Sequence, residues 1–522
     1  MAFKNEDTFQ TFLDLGQQNR FHSLYENAVN LVTPEFGKTY PVIINGKKIY
    51  TLESMIRTSP TDRRIVLGYM CKANSTHAKK AIHAATNAFE KWSTIDYKKR
   101  IKLFRKMAAI IKKRKFELSA WLTFENGKNR YESIADIDEA IDFIVYYSAE
   151  MEKNNGFIAR KLENSNEQNR SIMKPYGAWA VIAPFNFPAA ILVGMSVGAL
   201  IAGNTVIIKP ASDTPIIGYK IVETMIESGI PNGVINFVPG LGTEIGKTII
   251  ESQEVAGIVF TGSRDVGYKL ISESSRVRPR PVIAELGGKN ATIVTDSANL
   301  DMAAEGVANA AFSFSGQKCS ACSRVYVQSN VKSQFISKLI EKTRKLIVEN
   351  PKERESFVGP VINLNAYNNF KKYSKLASKY GNILAGGSVK QNKELEHGFY
   401  VEPTIVEGLP KHHALLKKEL FVPILCITEY DKFDNAIKMT NESEYGLTSG
   451  IYSNKKDEIL KFLKDIEAGV VYVNRKKSST TGAMVGRQSF GGWKDSGTTG
   501  KGTGGRYYLT QFMREQSQTI IK

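Results

Sequence analysis

The stretch AWAVIAPFNFPAAILVGMSVGALIAGNTVIIKP, residues 178–210, decides the fold class. It contains a short apolar run, a longer apolar segment at residues 189–203 and a second short apolar run, which is the order strand, buried helix, strand. Two strands joined by a helix form a parallel pair covered by that helix. The stretch therefore predicts a doubly wound α/β architecture, in which ligands bind at the carboxyl ends of the strands.

The same alternation continues along the chain. Strand-like pieces recur at VINFVPG, GIVFTGS and RPVIAELGG up to about residue 288, and a second α/β set follows with NATIVT, RVYVQ, PILCITEY, LTSGIYS and GVVYVN. At 522 residues the chain is too long for one core, so more than one domain is expected. The polar segment at residues 152–173 has the pattern of a hairpin, and we predict that it takes part in an oligomer contact.

Composition excludes several classes of protein. Hydrophobic residues make up 42% and charged residues 24% of the chain, which is typical of a soluble globular protein. The longest apolar stretch, residues 189–203, is too short to span a membrane, and MAFKNEDTFQ at the start lacks the apolar run of a secretory signal. Four cysteines are too few for a disulfide framework. We therefore expect a cytoplasmic protein without a membrane partner.

The formal net charge of +19 raises the alternative of a nucleic-acid-binding or structural module. The most basic segment, KKRIKLFRKMAAIIKKRK at residues 98–115, has apolar residues at helical spacing: Ile101, Phe104, Ala108 and Ile111. This spacing predicts an amphipathic helix whose basic residues form the wet face. No helix-turn-helix, zinc-finger or ribonucleoprotein signature accompanies the segment, so we predict no nucleic-acid partner.

The string SFSGQKCSACSR contains a candidate nucleophile. Cys319 stands between Gly316 and the small residues Ser320 and Ala321, which leave room for a substrate to reach the sulfur. The alternatives are half of a zinc site or a redox pair, because Cys319 and Cys322 form a CxxC. The sequence contains no second cysteine pair and no HxxxH, so we predict no metal site.

Four further strings carry little weight alone: APFNFP at residues 183–188, IIKPASDTP at 207–215, VFTGSRDVG at 259–267 and AELGGKN at 284–290. An asparagine after a strand is usually a cap and a Gly-Ser pair is usually a turn. Gly262 and Gly267 do not form a GxGxxG, so the ordinary dinucleotide fingerprint is absent. In this order and at these spacings, however, the strings closely resemble the aldehyde dehydrogenase superfamily from about residue 40 to 515.

The resemblance implies the fold of that superfamily, with two doubly wound α/β domains and a small β oligomerisation element. It assigns an NAD(P)-binding domain to residues 1–150 and 174–287 and a catalytic domain to residues 288–475. Residues 151–173 and 476–522 would be oligomerisation and anchor-loop segments. A homo-oligomer acting on a small-molecule aldehyde is expected.

The same resemblance makes Cys319 the nucleophile, Glu285 the general base and Asn186 an oxyanion donor. A thiolate adds to the aldehyde, hydride passes to the nicotinamide, and water activated by the base hydrolyses the resulting thioester. The donor would stabilise the alkoxide of the tetrahedral intermediate.

The cofactor-binding residues implied by the resemblance are Lys209, Ser212, Gly262, Ser263, Glu419 and Phe421. Lys209 and Glu419 correspond to residues that hold the ribose units, and Ser263 meets the pyrophosphate at a helix start. The family motif EEIFGP reads KELFVP at residues 418–423 here. Ser212 stands where a glutamate often disfavours a 2′-phosphate, so NADP stays an alternative to the favoured NAD.

Within the superfamily, SGQKCSACSR and the loop SSTTGAMVGRQSFGGWKDSG (residues 478–497) most closely resemble the Δ1-pyrroline-5-carboxylate dehydrogenases, which act on glutamate semialdehyde in proline catabolism. The implied substrate-binding residues are Ser320, Gly482, Ala483, Phe187, Phe490 and Glu132. The first three would bind the substrate carboxylate, the phenylalanines its aliphatic part and Glu132 its amino group. The alternative is another anionic semialdehyde, such as succinate semialdehyde, with Arg487 as the carboxylate ligand.

Overall fold

The computed structural model describes residues 7–160, 166–392, 394–476 and 484–521, with the backbone alone described at Asp7 and Arg160. Its strands are β1 (Lys38–Tyr40), β2 (Val42–Ile44), β3 (Lys47–Ile49), β4 (Ser54–Thr58), β5 (Val66–Cys71), β6 (Ile158–Arg160), β7 (Glu167–Pro175), β8 (Ala178–Ile182), β9 (Thr205–Lys209), β10 (Ile235–Phe237), β11 (Val255–Thr261), β12 (Val282–Glu285), β13 (Asn290–Val294), β14 (Cys322–Gln328), β15 (Asn382–Ala385), β16 (Thr404–Glu407), β17 (Ile424–Tyr430), β18 (Tyr445–Gly446), β19 (Thr448–Tyr452), β20 (Val470–Val473), β21 (Trp493–Lys494) and β22 (Met513–Ile521).

The helices are α1 (Asp7–Asp14), α2 (Gln18–Val32), α3 (Ser75–Trp92), α4 (Tyr97–Lys113), α5 (Lys115–Asn126), α6 (Arg130–Lys153), α7 (Ala190–Ile201), α8 (Pro215–Glu227), α9 (Lys247–Glu251), α10 (Arg264–Val277), α11 (Leu300–Phe312), α12 (Lys332–Arg344), α13 (Leu364–Tyr380), α14 (Ala414–Lys417), α15 (Phe433–Asn441) and α16 (Lys456–Asp465). The strand, helix and strand predicted from residues 178–210 are confirmed as β8, α7 and β9. Every residue of both strands is buried, as expected for parallel strands covered on two faces.

One seven-stranded sheet has the order β12-β11-β8-β9-β10-β2-β3. The first five strands of that order are parallel, while β2 and β3 run antiparallel at the edge. The chain runs from β8 through β9 to β10 on one side, but β11 lies on the other side of β8. The loops that leave β8 and β11 therefore diverge and open a crevice at their carboxyl ends.

A second seven-stranded sheet has the order β15-β16-β17-β14-β13-β19-β20 and is parallel except for the β15–β16 pair. The two sheets are joined by the short segment between β12 and β13, residues 286–289. Glu285 ends β12, and Cys319 precedes β14. The junction between the sheets thus brings the predicted base and nucleophile to the same part of the molecule. The predicted domain boundaries stay a prediction.

Smaller sheets complete the fold. The predicted hairpin is present as β6 and β7, and β22 pairs along the full length of β7 to form a three-stranded sheet. Helix α4 buries the apolar residues expected of it, but Arg100 is also buried, at 6% exposure, and its guanidinium donates to the carbonyl of Ile201. Arg100 is therefore the one basic residue of α4 that is buried and not on its solvent-exposed face, and it holds the end of α7. Across the described ranges, every helix is too short or too polar to cross a membrane.

Candidate active site

Cys319 lies in a strained loop between α11 and β14. Phe314, Ser315 and Gly316 take left-handed backbone conformations in succession, with φ of 48°, 54° and 68°. Such conformations cost free energy in residues other than glycine and cluster at functional sites. The side chain of Ser315 holds the loop by donating to the carbonyl of Gly359 at 2.6 Å. Cys319 is partly exposed, whereas Cys71, Cys322 and Cys426 are buried, and all four are unpaired.

Cys319 opens onto a narrow cavity with mostly apolar walls. Five residues predicted for the site line it together: Cys319, Glu285, Ser320, Phe187 and Phe490. Other walls come from Phe143, Ile191, Met195, Ile283 and Tyr508. The five predicted residues come from distant parts of the sequence, and a shared catalytic site requires that the fold bring them together. The structure meets this requirement.

Asn186 is buried beside the cavity, at 4% exposure, directly before the lining residue Phe187. Its loop leaves the carboxyl end of β8 and is held from the opposite side by Asn126, whose side chain donates to the carbonyl of Phe185 at 2.7 Å. The predicted oxyanion donor is thus positioned next to the cavity by a fixed loop, although it does not itself line the cavity.

Glu285 is poised between its two protonation states. Burial raises the pKa of its carboxyl to about 8, and a hydrogen bond from the N–H of Gly492 opposes that shift. Burial also raises the pKa of the Cys319 thiol, with further increases from the carboxylates of Glu419 and Glu285. The resting thiol is therefore neutral, and a base must accept its proton before it can act as a nucleophile.

The crevice between β8 and β11 is a cleft of about 910 Å³. Of the predicted cofactor residues, Lys209, Gly262 and Ser263 line it, along with apolar side chains that include Ile250 and Leu270. Ser263 precedes the 14-residue helix α10, and its side chain makes no cap, so the first backbone N–H groups of that helix remain directed at the cleft. A helix start of this kind binds phosphate groups.

Lys209 reaches the cleft from the end of β9. Burial lowers the pKa of its ammonium to about 8, and Asp213 opposes that shift. Its Nζ donates to the carbonyl of Pro210 at 2.9 Å, which leaves other N–H groups for a ligand. Ser212 is exposed and is not among the residues that line the cleft.

Glu419 is hydrogen-bonded to the segment before β13 and is not among the residues that line the cleft. Its carboxylate accepts the N–H of Gly288 at 2.9 Å, and a Cβ on Gly287 would lie 2.2 Å from the same carboxylate. Only glycine allows this approach. Burial raises the pKa of Glu419 to about 7. Phe421 adopts φ 56° and contacts the ring of Phe185 edge-on, at 5.7 Å between centroids.

A family model described as the aldehyde dehydrogenase family matches residues 50–518. The chain belongs to the aldehyde dehydrogenase family. A Geobacillus kaustophilus protein named 1-pyrroline-5-carboxylate dehydrogenase is 39% identical over 498 residues, covering 94% of this chain and 95% of the relative. A Bacillus subtilis protein named 1-pyrroline-5-carboxylate dehydrogenase 2 is 37% identical over 517 residues, covering 98% of each chain.

Solved structures agree with this aldehyde dehydrogenase over nearly its whole length. A 1-pyrroline-5-carboxylate dehydrogenase from Thermus with bound NAD has a TM-score of 0.92 at 35% identity and covers 96% of both chains. Betaine aldehyde dehydrogenase from Staphylococcus aureus in complex with NAD+ has a TM-score of 0.89 at 25% identity, over 95% of this chain and 97% of that one. The predicted fold class and superfamily are thereby confirmed.

Glu132, the predicted contact for the amino group of the substrate, is not among the residues that line the cavity, and its carboxylate pairs with Lys318 at 3.0 Å. Its role as a substrate contact stays a prediction. Glu139 lines the cavity at 6% exposure. The two residues lie on α6 seven positions apart, about two helical turns, so both occupy one face of the helix. Glu139 is therefore a cavity residue that the sequence analysis did not name, although its helical spacing from Glu132 was an available signal.

The remaining predicted contacts divide into two groups. Gly482 and Ala483 of the anchor loop lie outside the described residues. Arg487, the carboxylate ligand expected for a succinate-semialdehyde enzyme, is exposed and is not among the residues that line the cavity.

In the parts of the chain that the structure covers, no cluster of three or more histidine, cysteine or acidic side chains could hold a metal ion.

Proposed function

We propose that this aldehyde dehydrogenase oxidises L-glutamate 5-semialdehyde, formed from Δ1-pyrroline-5-carboxylate, to L-glutamate with NAD as the hydride acceptor, in proline catabolism. The observation that carries the proposal is the cavity shared by Cys319, Glu285, Ser320 and Glu139. It combines a nucleophile and a base with one group for a carboxylate and one for an ammonium. The names of the relatives support the same substrate.

The cavity suits a substrate that carries charge at one end and an aldehyde at the other. Ser320 offers a hydroxyl donor for the carboxylate, with the backbone at Gly482 and Ala483 proposed as its partners. Glu139 offers a carboxylate for the ammonium. The rings of Phe187 and Phe490 would enclose the aliphatic chain between these groups, leaving the carbonyl carbon facing Cys319.

The chemistry proceeds on Cys319. Glu285 in its ionised form accepts the thiol proton, and the sulfur bonds to the aldehyde carbon. The Asn186 amide and the Cys319 N–H donate hydrogen bonds to the alkoxide oxygen. When bound, NAD accepts the hydride that leaves this carbon. Cys319 then carries a thioester, and Glu285 releases the thiol proton to bulk water. The ionised carboxylate next removes a proton from the water that cleaves the thioester and returns that proton to the departing sulfur, which yields glutamate and the free thiol.

The cleft beside β8 and β11 fits a dinucleotide. The uncapped start of α10 at Ser263 would bind the pyrophosphate, and Lys209 and Glu419 would bind the two ribose units. Ile250 and Leu270 provide an apolar wall for the adenine ring. Gly262 and Phe421 are proposed contacts along the same path. Ser212 adds no carboxylate against a 2′-phosphate, so activity with NADP is expected to be weaker than with NAD rather than absent.

The test is NADH formation, followed by absorbance, with pyrroline-5-carboxylate, succinate semialdehyde and a simple alkyl aldehyde, each with NAD and with NADP. We expect kcat/KM to be highest with pyrroline-5-carboxylate and NAD. A higher kcat/KM with succinate semialdehyde would reject the substrate. No reduction of either cofactor with any of the aldehydes would reject the enzymatic proposal itself.

We also propose that the chain forms a homo-oligomer through the sheet of β6, β7 and β22. Ile158, Ile520 and Ile521 are exposed on these strands, at 48%, 43% and 66%. An exposed edge with apolar residues is a template for pairing with another chain. Light scattering should give a mass that is a multiple of 58.1 kDa. Removal of residues 513–522 should reduce that mass, and an unchanged mass would reject the role of this sheet.

A further inference from the structure

Asn290 lies directly behind the nucleophile loop. It is the first residue of β13 and is 4% exposed. Its Nδ2 donates to the carbonyl oxygens of Cys319 at 2.7 Å and Ala321 at 3.0 Å. Its Oδ1 accepts the N–H of Thr448 at 3.0 Å. One side-chain amide therefore ties the loop of the nucleophile to two neighbouring strands of the second sheet.

Two hydrogen bonds fix the peptide units on both sides of Cys319, and Asn290 makes one of them. In a planar trans peptide the C=O and N–H point in opposite directions, so holding one sets the direction of the other. Asn290 holds the carbonyl oxygen of the Cys319–Ser320 unit. The N–H of Ala321 holds the carbonyl oxygen of the preceding unit, on Lys318, at 3.0 Å. The directions of the N–H groups of Cys319 and Ser320 are thereby set.

Hydrogen bonding from the N–H groups of Ser320 and Cys319 lowers the pKa of the Cys319 thiol, against the larger increases caused by burial and by the neighbouring carboxylates. In the resting enzyme these N–H groups are the ones that make ionisation of Cys319 easier. Their orientation consequently affects how reactive the nucleophile is at a given pH.

Two neighbours restrict the same loop. A Cβ on Gly288 would lie 2.4 Å from the carbonyl oxygen of Cys319, so this glycine permits the close approach of the two backbones. The Oγ1 of Thr448 donates to the carbonyl oxygen of Ser320 at 3.3 Å. The carbonyl oxygens of Cys319, Ser320 and Ala321 are thus all held by side chains at the starts of β13 and β19.

We infer that Asn290 is a positioning residue for the nucleophile. By holding the carbonyl oxygen of Cys319 it directs the N–H of Ser320 toward the sulfur. By holding the carbonyl oxygen of Ala321 it fixes the turn in which the Ala321 N–H sets the direction of the Cys319 N–H. The inference rests on the proposed role of Cys319. It adds a residue that touches neither substrate nor cofactor.

The test measures the rate at which iodoacetamide alkylates Cys319 as a function of pH, with the modified peptide identified by mass spectrometry. Asn290→Asp keeps the shape of the side chain but turns a carboxylate oxygen toward two carbonyl oxygens, which repel it. The alkylation rate at neutral pH should fall about tenfold, equivalent to a rise of about one unit in the pKa of the thiol. The kcat should fall while the KM for NAD stays unchanged.

Asn204 provides a matched control outside the cavity. It is fully buried, its Nδ2 donates to the carbonyls of Ala199 at 3.0 Å and Phe512 at 2.9 Å, and its Oδ1 accepts two backbone N–H groups. Asn204→Asp should lower the Tm as Asn290→Asp does, but should leave the pH profile of alkylation unchanged. A wild-type profile in Asn290→Asp, or an equal shift in Asn204→Asp, would overturn the inference.

Thr448→Val is the milder second variant if Asn290→Asp fails to fold. It removes the hydroxyl donor to Ser320 and keeps the backbone N–H that Asn290 accepts. We expect a two- to threefold slower alkylation, roughly, and an unchanged rate would overturn the inference. Alkylation requires neither aldehyde nor cofactor, so the assay separates this inference from the proposed substrate. If the proposed substrate is wrong, the pH profile of alkylation is unaffected. If Cys319 of the wild-type enzyme resists alkylation, that result counts against its role as the nucleophile.

Discussion

The backbone N–H of Gly492 donates a hydrogen bond to Oε2 of Glu285, with 3.0 Å between nitrogen and oxygen. The bond favours the carboxylate, while burial favours the neutral acid and raises the pKa of Glu285 to about 8. The C-terminal loop that carries Gly492 therefore both orients the proposed base and moderates its pKa. Both protonation states are populated near neutral pH, which suits a group that accepts and then releases a proton.

The first prediction is that kcat rises with pH up to about 8. The raised pKa keeps Glu285 protonated below that pH, and the protonated acid cannot accept a proton from the thiol or from water. The rate should therefore fall about tenfold for each pH unit below the pKa. A kcat profile between pH 5.5 and 9.5 tests this. A profile that is flat from pH 6 to 9 would contradict it.

Glu285→Gln should slow both proton transfers assigned to this residue. The amide accepts a proton neither from the thiol nor from water, so the first equivalent of NADH should form slowly and turnover should nearly stop. Stopped-flow absorbance measures the first turnover, and the wild-type enzyme provides the comparison. Steady turnover at the wild-type rate would exclude Glu285 as the base.

The two cysteines of the CxxC should behave differently. Cys319 opens onto the cavity, whereas Cys322 is 3% exposed and its sulfur lies 3.3 Å from the hydroxyl of Thr292. Cys319→Ala should eliminate aldehyde oxidation, and Cys322→Ala should leave most of it. Steady-state rates of the two purified variants decide the assignment. The reverse pattern would refute Cys319 as the nucleophile.

Glu139→Gln should impair selection of the amino group. Removing the negative charge weakens binding of an ammonium but leaves the shape of the cavity. The KM for pyrroline-5-carboxylate should rise about tenfold, corresponding to about 1.4 kcal/mol of binding free energy. The kcat/KM for an uncharged alkyl aldehyde should change little. Glu132→Gln, which alters the pair with Lys318 instead, is the control. An equal rise in KM for both variants would remove the distinction between the two glutamates.

The local pattern of apolar residues was sufficient to predict β8, α7 and β9. These elements are almost entirely buried, as a parallel sheet and its covering helix require, and their sequences are correspondingly apolar. The same reasoning could not choose between Glu132 and Glu139. Both lie on one face of α6, and the packing of that helix against the rest of the fold determines which one reaches the cavity.

Contacts between distant parts of the chain were also beyond the sequence analysis. Gly492 and Glu285 are 207 positions apart, and no local pattern indicates that a backbone N–H of the first will meet the carboxylate of the second. Asn290 is the last residue of the string that identified Glu285, yet its bonds to the nucleophile loop became visible only with the sheet assembled. The sequence motifs identified the chemistry, and the tertiary structure added the residues that orient it.

The final prediction concerns the stability of a buried ion pair next to the cavity. Lys128 and Asp136 are 2.7 Å apart, and both side chains are 0% exposed. The second oxygen of Asp136 accepts the N–H of Ala190 at the start of α7, and the Lys128 ammonium lies 3.6 Å from the ring centre of Phe187. Asp136→Asn removes the negative charge and leaves a buried ammonium without compensation, which should lower the free energy of unfolding by about 3–5 kcal/mol.

Urea unfolding measures that loss, and the exposed pair of Lys345 and Glu341 provides the comparison. Their atoms are 2.6 Å apart, but the side chains are 67% and 59% exposed, so water screens the charges. Glu341→Gln should therefore cost less than about 1 kcal/mol. If Asp136→Asn lowers the free energy of unfolding no more than Glu341→Gln does, Asp136 is not the group that keeps Lys128 protonated in the interior. The positive charge that Lys128 places over the face of the Phe187 ring would then be stabilised by another group.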